Sequence, residues 1–267
     1  MNKPHAVALL VMLALLTTAP FTNTQAKQFS EKKQAIILKR FPRADTDKNG
    51  VLSAEELQQF RQSRLRNINK TAVAQPTSAD DEKLNKTLAE MNTRFKYIEL
   101  GLFEWPDELH EKLGKMRKLA FVARPVQKTT GRLPLIVFLH GGGPGWWERS
   151  LQQQLSISAQ GKLLRGFDLA EYAAKPLIVL EPNTAEDWNA HCLDTILDYV
   201  LENFPEVDED RVYVVGYSKG AKGTWTWINE SADRFAAAAL GGYSGSDRGD
   251  LKHLATLPVW GMAGGDD

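Results

Sequence analysis

Only one cysteine, Cys192, occurs in the 267 residues, so no disulfide can close within the chain and its stability has to come from a packed core. Cys192 itself reads as a small core residue, since no nucleophile pattern surrounds it. An excess of charge is missing too: Lys+Arg and Asp+Glu both number 33, which removes the basic footprint that would favour nucleic acid or an anionic membrane as partner. No apolar run reaches the roughly 20 residues that a bilayer-spanning helix needs. The run over residues 6–16 follows Lys3 and precedes Thr24-Gln25-Ala26, the arrangement of a cleavable export signal over residues 1–26. An exported chain, periplasmic or extracellular and without a transmembrane anchor, is therefore expected. Tandem repeats and low-complexity tracts are absent, and 43% hydrophobic with 25% charged residues is a globular composition.

The texture changes near residues 69–83, where Thr71-Ala72-Val73-Ala74-Gln75-Pro76-Thr77-Ser78-Ala79-Asp80 is small, polar and without apolar periodicity. This predicts a small helical module over 27–68, a linker over 69–90 and a larger domain over 91–267. In the larger part, residues 118–124, 134–139, 176–180, 211–215, 235–240 and 257–262 are short apolar runs bounded by Gly, Pro or charged residues, as buried parallel strands should be. Trp188, Cys192, Ile196, Val200 and Phe204 recur every four residues and mark a helix face. Strands alternating with such helices predict an α/β fold with a mostly parallel, doubly wound sheet.

In the small module, Asp45-Thr46-Asp47-Lys48-Asn49-Gly50-Val51-Leu52-Ser53-Ala54-Glu55-Glu56 has the EF-hand spacing. Asp45, Asp47, Asn49, Ser53 and Glu56 place side-chain oxygens, and Val51 a backbone carbonyl, where a hard cation is ligated; Gly50 permits the sharp turn. Calcium is the expected ion. An exported protein meets abundant calcium, so a structural site is expected rather than a switch. An acidic turn without metal is the alternative.

In the large domain, Arg211-Val212-Tyr213-Val214-Val215 runs into Gly216-Tyr217-Ser218-Lys219-Gly220, a Gly-x-Ser-x-Gly turn between a strand and a helix. Side chains two residues either side of Ser218 would clash with backbone, which accounts for Gly216 and Gly220. Upstream, Leu135-Ile136-Val137-Phe138-Leu139 empties into His140-Gly141-Gly142-Gly143, a bare loop whose N–H groups can meet an oxyanion. Gly142, Gly143 and the N–H of Lys219 are the expected donors. Trp146, Trp147, Trp188 and Asn183 either line the mouth of such a site or cover the core.

From about Met116 onward the chain resembles the α/β-hydrolase superfamily, in its exported esterase, polyhydroxybutyrate-depolymerase-like and "predicted peptidase" branch. The strand followed by Gly-Tyr-Ser-Lys-Gly-Ala-Lys-Gly-Thr-Trp carries the resemblance, with Lys219 and Ala221 departing from the usual Gly-x-Ser-Met-Gly-Gly. It implies a Ser218 nucleophile acting on small-molecule or polymer esters without a further cofactor. It also implies an acid after the strand at 257–262, for which Asp266 is chosen over its neighbour Asp267. The catalytic histidine should follow that acid after one more strand. No residue follows Asp267, and His5, His110, His140, His191 and His253 all precede the acid. The expectation is a chain shortened before its last strand, helix and base, inactive as it stands. A non-catalytic calcium-dependent binding or structural protein on a degenerate hydrolase scaffold remains the alternative.

Overall fold

The computed structural model describes residues 38, 44–53, 55, 56, 59, 79–127, 129, 131–142, 175–184, 186–243 and 251–262. The expected export signal, most of the residues flanking the expected calcium loop, Gly143, Trp146, Trp147, Asp266 and Asp267 lie outside them. Among the described residues no helix is long and apolar enough to cross a membrane.

The chain forms helix α1 (Ala79–Asn92), strand β1 (Ile98–Glu104), the short helix α2 (Asp107–His110), β2 (Leu119–Pro125), β3 (Leu133–Leu139) and β4 (Ile178–Glu181). Helix α3 (Ala190–Asn203), β5 (Val207–Tyr217), α4 (Lys219–Ser231), β6 (Ala237–Gly241) and β7 (Val259–Met262) follow. The strands make one seven-stranded sheet in the order β1-β2-β4-β3-β5-β6-β7. β2 runs antiparallel to both β1 and β4, and every other pair is parallel. That order, with helices packed on both faces, is the mostly parallel, doubly wound α/β sheet expected from the sequence.

All seven residues of β3 are buried, because both faces of this central strand are covered. Alternation sorts its side chains: Leu135, Val137 and Leu139 join Val212 and Val214 of β5 beneath α3 and α4. Ile136 and Phe138 join Tyr213, Val215 and α1's Leu84 and Leu88 on the other face. The two leucines correct the boundary drawn at 69–90: residues 79–90 belong to a helix packed on the sheet. Each buried leucine stabilises that packing by about 1.5–3 kcal/mol. Their four-residue spacing sits among Asp, Glu, Lys and Asn, which hid a one-sided apolar stripe behind polar composition. β1 also extends the sheet upstream of the strands read from the sequence.

Helix α3 starts at Ala190, not at Trp188. Asn189 caps it, its side chain accepting a hydrogen bond from the Cys192 N–H at 3.0 Å. Leu193, Ile196, Leu197 and Val200 are buried against the sheet, and Cys192 is half-buried at the margin of that core. Arg234 ties α3 to the segment after α4 by reaching Asp194 and Asp198, each at 2.5 Å. Asp194 also accepts from Trp227 Nε1 (3.0 Å) and Ser231 Oγ (2.7 Å).

Candidate active site

β5 ends at Tyr217 and α4 begins at Lys219, so Ser218 alone makes the turn. Its backbone sits at φ 55°, ψ −120°, a conformation that L-residues rarely adopt and that persists only where the surroundings impose it. The surroundings are close-packed backbone. A Cβ at Gly216 would lie 2.1 Å from the Gly220 oxygen, and one at Gly220 would lie 1.8 Å from the Leu139 oxygen. The Ser218 N–H donates to the Gly241 carbonyl at 2.8 Å, which anchors the turn to the end of β6.

The loop after β3 lies against this turn. A Cβ at Gly141 would meet the Tyr217 oxygen at 2.9 Å and the Ser218 Cβ at 3.2 Å. Gly142 follows it, so the structure brings two of the expected oxyanion donors, the Gly142 and Lys219 amides, to the same end of the sheet as Ser218. Lys219 is the first residue of α4, whose opening N–H groups have no acceptor within the helix and whose end carries the positive pole of its dipole. β7 lies parallel to β6, with Met262 beside Gly241, which puts the strand leading to Asp266 at that same end.

His140 does not act as a base in this arrangement. It is 4% exposed, and burial pushes its pKa down to about 4, helped by the positive charges of Arg117 and Lys219. Its Nε2 accepts from the Thr184 N–H at 3.3 Å and its Nδ1 lies 2.9 Å from the Gly141 oxygen. His110 Nε2 lies 2.9 Å from the Met116 carbonyl oxygen, and His191 is exposed on α3.

The loop between β4 and α3 supplies residues to the site that the sequence did not mark. Trp188 and Asn183 were expected either at the mouth of the site or over the core; at 7% and 1% exposed they are buried and do not line an open mouth. Trp188 donates from Nε1 to the His140 carbonyl at 3.1 Å and packs edge-on against the His140 ring at 4.8 Å. Asp187 pairs with Lys219 at 3.1 Å and Lys222 at 3.7 Å; the bond from Lys219 holds the Asp187 carboxyl below its ordinary pKa. Glu181, at the end of β4, is 1% exposed with neither oxygen hydrogen-bonded among the described residues, and burial raises its pKa well above the ordinary value. Tyr217 is 47% exposed, its ring resting beside Gly242.

In the calcium-loop segment, one ligating oxygen each from Asp45, Asp47 and Glu56 lies within 4.8 Å of the others. Gly50 has φ 81° and its N–H donates to Asp45 Oδ2 at 2.8 Å, which bends the loop around the first aspartate. Ser53 and Glu56 form a reciprocal capping box: the Glu56 N–H donates to Ser53 Oγ at 3.1 Å, and the Ser53 N–H to Glu56 Oε2 at 3.0 Å. The Glu56 carboxyl is pulled down to about 2, chiefly by that Ser53 backbone bond and then by Thr46. Asn49 Oδ1 accepts from the Val51 N–H, and the Val51 side chain is exposed. Three carboxyl groups converging on one point, in an all-oxygen set, fit a hard divalent cation.

No protein-family model matches the chain, and no curated protein matches it in sequence. Several solved structures are similar to parts of it. A thermostable esterase is 21% identical with a TM-score of 0.43, the match covering 61% of this chain and 45% of that one. An S-formylglutathione hydrolase from Staphylococcus aureus is 16% identical at a TM-score of 0.36, over 55% and 57% of the two chains. A thermophilic carboxylesterase cloned from a metagenomic library is 16% identical at 0.37, over 69% and 65%. The chain thus spans about half to two thirds of the length of these structures.

Proposed function

We propose that this chain carries the nucleophile of an exported, calcium-binding serine hydrolase that cleaves carboxylic esters through an acyl-serine intermediate; the chain by itself is inactive, and the full-length protein of which it is part supplies the histidine base. The observation that carries the reading is the backbone of Ser218, at φ 55° on the turn between β5 and α4, with the Gly141–Gly142 loop packed against it. A serine held at positive φ between a strand and a helix, its side chain making no cap hydrogen bond to that helix, is the signature of a nucleophile.

In the reaction of the full-length protein, Ser218 Oγ attacks the acyl carbon while a histidine base, supplied outside the described residues, takes its proton. The former carbonyl oxygen becomes an anion beside the Gly142 and Lys219 amides, Gly143 being assigned to the same hole. The proton passes to the departing alkoxide, and water then attacks the acyl-serine to release the acid. Asp266 is assigned to orient the base. His140 is excluded from that role by its burial and its two bonds.

Asp45, Asp47 and Glu56, with Asn49, Ser53 and the Val51 carbonyl, are the residues that would hold calcium. A bound ion would compensate the charge of these carboxylates, and its proposed role is structural.

Full-length protein and Ser218→Ala are to be assayed on p-nitrophenyl acetate and butyrate and labelled with a fluorophosphonate probe. Turnover and labelling that vanish together in Ser218→Ala are expected. Equal signals from both proteins would sink the reading and favour a binding role for the scaffold. Removing calcium with chelator should lower the unfolding midpoint, and an unchanged midpoint would rule out the structural ion.

A further inference from the structure

The donors of the proposed oxyanion hole come from two separate segments, the loop after β3 and the start of α4. On one side they are held by direct backbone contact, at Gly220 against Leu139 and at Gly141 against Tyr217. A second attachment is made by the β4–α3 loop. The Thr184 amide can only donate, so His140 Nε2 is an acceptor and the ring proton sits on Nδ1, where it donates to the Gly141 carbonyl at 2.9 Å. The peptide joining Gly141 to Gly142 is planar and trans, so its C=O and N–H point in opposite directions. Capturing the carbonyl on the His140 side therefore turns the Gly142 N–H to the other side.

Trp188 fixes where this unit stands. Its indole N–H holds the His140 main-chain carbonyl at 3.1 Å, while its ring stacks edge-on against the imidazole. Its opposite flank lies on the bare backbone of α4: a Cβ at Gly223 would be 2.5 Å from Trp188 Cβ and 2.6 Å from its Cγ. The neighbouring Asp187 reaches the same helix through Lys219 at 3.1 Å. One side chain thus touches both segments that carry the donors, His140 beside the loop and Gly223 in α4.

We propose that Trp188 is a positioning residue for the oxyanion hole, holding the Gly141–Gly142 loop in register with the start of α4 through its bond to the His140 carbonyl and its seat on Gly223. The inference rests on the serine-hydrolase reading above. An oxyanion donor contributes only when it lies at hydrogen-bond distance from the transition-state oxygen, so a shift of about 1 Å costs up to about 100-fold in rate.

Two variants perturb the contact from opposite sides. Trp188→Phe keeps a ring and removes the N–H; Gly223→Ala pushes the indole off the helix. With full-length protein on p-nitrophenyl butyrate, kcat should fall about 10- to 100-fold in each while KM stays within about twofold. A tryptophan that only fills the core would lower the melting temperature and leave kcat of the folded enzyme intact. Folded Trp188→Phe with unchanged kcat, or with KM raised and kcat retained, overturns the proposal. Should one variant fail to fold, the other decides by the same criterion; failure of both assigns Trp188 a purely structural role. A wild-type protein without Ser218-dependent turnover overturns the hydrolase reading and this inference with it. An active wild type with an unaffected Trp188→Phe overturns this inference alone.

Discussion

In Gly220→Ala the added Cβ falls 1.8 Å from the Leu139 oxygen, 2.5 Å from the Leu139 carbon and 2.8 Å from the His140 oxygen. Unstrained contact needs roughly 3.5 Å, so something has to move by more than an ångström. The obstacles are main-chain atoms at the end of β3, a strand buried on both faces and paired with β4 and β5, and none of them can swing aside as a side-chain tip would. Overpacking of a core costs about 1–3 kcal/mol, occasionally more, and this geometry belongs at or above the upper end. At about 2–4 °C per kcal/mol for a domain of this size, about 3 kcal/mol lowers the melting temperature by roughly 6–12 °C. The control is Gly101→Ala, whose Cβ would meet Val122 Cγ1 at 3.7 Å and the Val122 oxygen at 4.0 Å, ordinary contacts. There the loss of unfolded-state freedom should dominate, and stability should change by under about 1 kcal/mol. Thermal unfolding of both variants by circular dichroism reads the difference, and Gly220→Ala should also lose Ser218-dependent turnover. If Gly220→Ala melts within about 2 °C of Gly101→Ala, the close packing assigned to the elbow is wrong.

Arg234→Met should destabilise the protein by about 2–3 kcal/mol in urea at pH 7, less than the 3–5 kcal/mol of a fully buried pair because Asp198 is 34% exposed and Asp194 keeps its bonds from Trp227 and Ser231. Burial raises the Asp194 pKa, but Arg234 and the hydrogen bonds lower it by more, so the net shift is downward. That contribution is present above the ordinary carboxylate pKa and lost as pH falls through the folded value; the gap between wild type and variant should close below about pH 4, and a gap that persists would refute the ion-pair assignment. His140 titrates in a different window. Its pKa falls from 6.5 to about 4 on folding, so its contribution is complete above pH 6.5 and is lost as pH drops toward 4. On the order of 3 kcal/mol should disappear over that range in wild type, and the slope should be absent in His140→Gln; parallel curves would show that His140 is not buried neutral.

Much of this site was legible because its chemistry is local. Gly216, Ser218 and Gly220 are bound to one turn by steric limits that act within five residues, and the apolar run before them has to be a buried strand. The same holds for Asp45 to Glu56, where a short loop fixes the spacing of every oxygen. The β3 run and the glycines after it announced a loop with bare amides for the same reason. Other features depended on contacts between distant segments. Leu84 and Leu88 look like stray leucines in a polar stretch until α1 lies on the sheet, which is why the boundary was drawn too late. Trp188 matched the four-residue period of the next helix, yet Asn189 caps that helix and leaves Trp188 free to bridge His140 and Gly223. The supporting role of His140 was also not legible from the sequence, because its lowered pKa follows from burial and its ring is oriented by the Thr184 amide more than forty residues away. The sequence by itself determined which residues can do chemistry; the sheet order and the packing across it decided which of them meet, since hydrogen bonding and burial act through space and not along the chain.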